Sequence, residues 1–125
     1  MRIKILPALA GFSLLLLAGV GPSQAAPSRE ATTWQVSIVD FAFDPEILQV
    51  KVGDTVVWVN NDKAGHTVDS DRREDEAIGP LDSDTLMPGD SYTYTFVDVG
   101  MNKYHCELHA DMMRGSVIVS ANARP

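Results

Sequence analysis

Apolar side chains recur at every second position along short runs of this chain, and no window sustains the apolar stripe of a helix. Trp34, Val36 and Ile38 alternate with polar neighbours, and Phe41 and Phe43 read as a continuation of that run until Pro45 interrupts it. Leu48, Val50 and Val52 alternate into a turn at Gly53 and Asp54, and residues 55–60 read as strand again. Residues 60–65 are loop chemistry, after which His66, Thr67 and Val68 resume extended structure. Met87-Pro88-Gly89-Asp90 forms a turn. Tyr92, Tyr94 and Phe96 then alternate with threonines, and residues 115–119 make a closing strand. Many short strands separated by turns, without internal repeats, predict an all-β fold: an antiparallel Greek-key β-sandwich. Residues 69–84 are the exception. Their mixed charge and missing apolar period read as a solvated surface loop with room for one helical turn.

The strand pattern does not extend to the start of the chain. Arg2 and Lys4 precede an apolar run over residues 5–20, and Ser23, Gln24 and Ala25 supply the small residues a signal peptidase reads. The run is short for a membrane span, and Val20 stands where a lipoprotein would need cysteine. The expected organisation is a cleaved signal peptide over 1–25 (or one residue longer, after Ala26), a flexible lead-in over 26–33, one domain over 34–120 and a tail over 121–125. Cleavage after Ala25 removes two of the ten basic residues and none of the 17 acidic ones, leaving a net charge of −9. Such a charge argues against nucleic acid or an anionic membrane as partner and favours a basic protein. The same acidity also serves plain solubility.

The whole chain of 125 residues holds one cysteine, Cys106. In an exported protein a lone thiol is a liability unless it is buried, paired with another chain or bound to metal. Its neighbours favour metal. Cys106, His109, Met112 and Met113 fall within one short loop between two strands, so that the reversing chain can bring thiolate, imidazole and thioether to one point. A fourth ligand has to come from an earlier loop, and His66 ends one. His105 precedes Cys106 on a strand, so its side chain points to the opposite face, and it is excluded as a ligand. Soft sulfur donors with two imidazoles are the donor set of an electron-transfer copper site. Zinc would gain little from methionine.

With these residues in view, the chain resembles the cupredoxins of the plastocyanin, azurin and pseudoazurin group, and is most similar to the amicyanins. The resemblance runs through residues 38–45, 52–60, Gly65-His66 and 104–119. It implies His66, Cys106 and His109 as equatorial ligands of a single copper that cycles between Cu+ and Cu2+. The axial methionine can be counted two ways. Forward from His109, the short amicyanin-type loop selects Met112. Back from the closing strand, the family's Met-x-Gly order selects Met113 through Met113-Arg114-Gly115. Strand register is stiffer than loop length, so Met113 is expected to be the ligand, with Met112 as the alternative. Thr67 departs from the asparagine many relatives carry after the first histidine, although its hydroxyl could make a similar tie to the cysteine loop.

The function this implies is that of a monomeric, periplasmic single-electron carrier between redox protein partners, such as a basic cytochrome steered by the acidic stretch near 69–76. His109, flanked by Leu108 and Ala110, would be the exit for electrons, with Met87 and Pro88 extending the docking patch. A periplasmic copper chaperone or store is the alternative. An enzyme is not expected, because copper oxidases and nitrite reductases need further copper sites and the three histidines cannot furnish one.

Overall fold

The computed structural model describes Gly21 and residues 29–72 and 79–122. Apart from Gly21, the expected signal peptide lies outside the described residues, as does the stretch 73–78. The described residues form eight strands: β1 (Thr33–Val39), β2 (Ala42–Asp44), β3 (Ile47–Lys51), β4 (Thr55–Asn60), β5 (Asp69–Ser70), β6 (Ser91–Thr95), β7 (Gly100–His105) and β8 (Arg114–Ser120). They form two four-stranded sheets, ordered β2-β1-β4-β6 and β3-β8-β7-β5. No described helix is long and apolar enough to cross a membrane.

Alternation places one face of each strand inward, as the period of two requires. Val36 and Ile38 of β1, Val56 and Trp58 of β4, Leu48 and Val50 of β3, and Val117 and Val119 of β8 are all buried between the sheets. Trp58 and Tyr104 meet edge to face at 5.5 Å in the middle of the sandwich. Gly115 has no side chain because the Tyr104 ring occupies that space: a Cβ there would collide with it. That contact fixes β8 against β7, and so fixes the register of the residues just before it.

The expected sandwich is observed, with three corrections. First, the pairing is mixed rather than purely antiparallel: β1 lies parallel to β4, and β3 parallel to β8. The chain crosses between sheets at β2–β3 and β3–β4, so strands adjacent in one sheet are separated in sequence and can run the same way. Second, the first apolar run is not one strand. Val39 pairs with Ala42, leaving Asp40 and Phe41 as a two-residue hairpin turn with φ of 52° and 56°. Such turns suit Asn-Gly, whereas a left-handed residue with a side chain costs about 1–2 kcal/mol. Third, the segment beginning at 69 is not a solvated loop at its start. Asp69 and Ser70 pair with β7 and are buried, and Leu81 and Leu86 join the core. The Ser70 hydroxyl oxygen accepts the Leu81 N–H at 2.9 Å, which lets a polar strand of two residues sit inside. A strand so short shows no period.

The end of the expected lead-in is also held in place. Arg29 donates to both carboxylate oxygens of buried Asp54, at 2.8 and 2.9 Å, and Thr33 already belongs to β1.

Candidate metal centre

Two loops at one end of the sandwich converge. The first follows β4 and is organised by Asn60, whose buried amide donates to the carbonyls of Ala64 and Leu86, each at 2.8 Å. Its carbonyl oxygen accepts the Asp62 N–H at 2.9 Å. This frame delivers His66 to the interior, where backbone bonds in both directions with Leu86 lock it. The second loop follows β7. Cys106 directly follows the strand, residues Glu107–His109 form a 3-10 turn, and the Cys106 N–H donates to the Met113 carbonyl at 3.1 Å, closing the loop at the start of β8.

The convergence brings His66, Cys106 and His109 together, with their donor atoms all within 4.8 Å of one another. Cys106 Sγ lies 3.6 Å from His109 Nδ1 and 3.8 Å from His66 Nδ1. A metal bonded to sulfur at about 2.3 Å and to nitrogen at about 2.0 Å in a trigonal plane would space those atoms about 3.7 Å apart. The donor set and its spacing therefore fit one copper ion. His66 and Cys106 are fully buried, and His109 is half-buried. The two methionines separate sharply: Met113 is 0% exposed and Met112 66%.

Around the donors, hydrogen bonds fix orientation. Thr67 N–H points at the Cys106 sulfur at 3.4 Å, and Thr67 Oγ1 accepts the Glu107 N–H at 2.8 Å. The threonine thus makes the tie across to the cysteine loop for which the sequence left room. The outer nitrogen of His66, Nε2, faces Asp62 Oδ2 at 2.9 Å, leaving Nδ1 turned toward the sulfur. Backbone N–H donation from Phe41, then from Lys63, followed by the His66 contact, holds the Asp62 carboxyl below its ordinary range.

His105 is not among the converging donors. Its Nδ1 meets Asp71 Oδ1 at 2.7 Å, and Arg114 approaches the other oxygen of the same carboxylate at 3.6 Å. Of the acidic stretch expected near 69–76, residues 73–76 lie outside the described residues. Asp69 is buried, with its carboxyl raised by desolvation, and Asp71 is engaged by His105 and Arg114. Leu108, Met87 and Pro88, together with Met112, are exposed.

Sequence reasoning missed Phe41 and Asp62. The Phe41 ring stands edge-on to both imidazoles, with centroids 5.4 Å from His66 and 4.9 Å from His109. A clue was present in the parity of the alternating apolar positions, even at Trp34, Val36 and Ile38 but odd at Phe41 and Phe43. Such a switch marks a reversal between Ile38 and Phe43.

Comparison with known proteins agrees with this geometry. Residues 31–120 match the family described as copper binding proteins, plastocyanin/azurin family. Chloroplastic plastocyanin of Tetradesmus obliquus is 33% identical over 120 residues, covering 90% of this chain and 75% of the relative. Amicyanin of Paracoccus denitrificans is 34% identical over 87 residues, covering 67% of this chain and 63% of the relative. Among solved structures, a purple cupredoxin from Nitrosopumilus maritimus superposes with a TM-score of 0.62 at 29% identity, over 70% of this chain and 99% of its own. A reduced amicyanin variant gives 0.63 at 32% identity, over 70% and 82%. The chain belongs to the copper-binding plastocyanin/azurin family, the cupredoxins.

Proposed function

We propose that this chain is a type 1 copper electron carrier, with His66 Nδ1, Cys106 Sγ and His109 Nδ1 as equatorial ligands and the Met113 thioether as axial ligand. The observation that carries the reading is the spacing of 3.6 and 3.8 Å from the cysteine sulfur to the two imidazole nitrogens. Burial supports Met113 over Met112, since a ligand on the inner side of the loop is shielded from water. Bound copper would supply the chemistry by taking or giving one electron between Cu2+ and Cu+. The protein's part is to hold its donors still. His66 is pinned by Leu86 and Asp62, and Cys106 by the Thr67 and Met113 backbone, so little rearrangement accompanies the change of charge. His109 is the donor nearest solvent, beside exposed Leu108, and is the route by which an electron leaves. A small apolar surface of this kind suits short-lived encounters with redox protein partners. We place the mature protein, after loss of residues 1–25, in a periplasm, as a monomer built from the domain over 34–120.

Voltammetry of the copper-loaded protein tests this reading. A reversible one-electron couple with fast self-exchange is expected. A protein that holds only Cu+ and passes the metal to a chelating acceptor would be a copper store or chaperone instead.

The two methionines offer a second test. Met113→Leu replaces an electron-pair donor with hydrocarbon, a loss that costs Cu2+ more than the less highly charged Cu+, so the reduction potential should rise and the visible spectrum change. Met112→Leu should alter neither. Equal effects at the two positions, or none at Met113, would refute the axial assignment.

A further inference from the structure

Phe41 combines three features that its place in a hairpin does not require. Its φ of 56° is left-handed, a conformation rare for a bulky side chain, in a turn where glycine would be free of strain. The residue is 39% exposed, so it contributes little to the core, yet its ring stands edge-on to both His66 and His109 at interplanar angles of 86° and 87°. Its backbone N–H donates to Asp62 Oδ2 at 3.1 Å, the same oxygen that His66 Nε2 meets at 2.9 Å. One carboxylate oxygen therefore joins the strained turn to the buried imidazole. Strain retained at such a point calls for a compensating role.

We propose that Phe41 is a positioning residue of the copper centre, its ring braced against both imidazoles and its backbone latched to His66 through Asp62. The inference rests on the ligand assignment above. The ring fixes the planes of two donors that come from different loops, and it covers the side of the site where His66 and His109 lie 5.1 Å apart. The latch keeps the ring in place: if the turn swings out, Asp62 must release either the Phe41 N–H or His66. Phe41 thus acts on the metal only through its ligands, in the manner of the outer partners that orient metal-bound histidines.

The test compares wild type, Phe41→Gly and Phe41→Tyr, each loaded with one equivalent of Cu+ and challenged with the Cu+ chelator bathocuproine disulfonate. The melting temperature of each metal-free protein is measured in parallel. Phe41→Gly should lose Cu+ to the chelator more readily by on the order of tenfold. Its metal-free melting temperature should hold or rise, because glycine relieves the left-handed turn. Phe41→Tyr, which keeps the ring, should retain copper like wild type. Wild-type retention in the glycine variant would overturn the proposal. So would a tyrosine variant as leaky as the glycine one, or copper loss matched by a fall in metal-free stability, which would mark a merely structural role. A wild-type protein that takes up no stoichiometric copper would sink the ligand assignment, and this proposal with it, before any variant is compared.

Discussion

Cys106→Ala should erase the intense visible absorption of the Cu2+-loaded protein while leaving the sandwich folded. The colour of such a site comes from charge transfer out of a cysteine sulfur into the copper, and the chain has no second cysteine to supply it. Sulfur is also the anchor of the donor set, with both imidazole nitrogens arranged around it at 3.6 and 3.8 Å. Removing it leaves two imidazoles and a thioether, so Cu2+ binding should weaken by orders of magnitude as well as lose its band. The fold should survive, because Cys106 lies at the loop end of β7, whereas the packing centre is formed by Trp58, Tyr104 and Phe43. Deleting one buried sulfur costs about 1–2 kcal/mol, a modest loss for a domain of this size. The measurement is a Cu2+ titration followed by visible absorption, with far-ultraviolet circular dichroism of the metal-free variant as the control for folding. An alanine variant that stays fully coloured would show that the sulfur is not a ligand.

Much of this architecture is legible in the sequence because it is local. Alternation at Val36 and Ile38, at Val56 and Trp58, and at Val117 and Val119 reports a face of a strand within a few residues. The loop from Cys106 to Met113 is equally local, so its donor types and spacing can be read directly. What escapes is whatever depends on distant partners. The parallel pairings of β1 with β4 and β3 with β8 follow from crossings between sheets, which no local period encodes. The strand at Asp69 and Ser70 is too short and too polar to announce itself; it is held inside because β7 and Leu81 pair its backbone and the Ser70 hydroxyl. The Asp40–Phe41 turn lacks the Asn-Gly chemistry that flags a tight hairpin, and its link to His66 runs through Asp62 on a different loop. Met112 and Met113 differ by one position in sequence, but Gly115 against Tyr104 fixes the register that sends one inward and leaves the other outside.

The largest loss of stability is expected from Asp54→Ala, far from the metal centre. Asp54 is fully buried at the end of the turn into β4, and it gathers the N-terminal segment, β1 and the end of β3 onto one carboxylate. Besides both Arg29 contacts, it accepts from Thr32 N–H at 2.9 Å, Trp34 Nε1 at 2.9 Å and Lys51 N–H at 3.0 Å. Alanine would leave all of these donors without their acceptor. With hydrogen bonds to a charged group worth about 1.5–3 kcal/mol each, and partial rehydration of the half-exposed donors, the net loss should be about 3 kcal/mol. For a domain of this length that corresponds to a fall of about 12–24 °C in melting temperature. The effect should also carry a pH signature. The Arg29 guanidinium, against the opposing cost of burial and aided by the Lys51 and Thr32 N–H groups and Trp34, holds the Asp54 carboxyl well below its usual range. A depressed carboxyl stabilises the fold fully above its unfolded pKa of about 4, and that contribution drains away as pH falls toward the folded value. Asp69 has the opposite sign: desolvation raises its carboxyl, so its burial is least favourable near neutral pH and eases on acidification. Urea denaturation of metal-free wild type and Asp54→Ala at pH 7, 5 and 3 separates the two. The gap between the proteins should be full at pH 7 and 5 and narrower at pH 3, with Asp69 common to both. A gap that stays constant down to pH 3 would mean that the ionised carboxylate is not what binds these segments together.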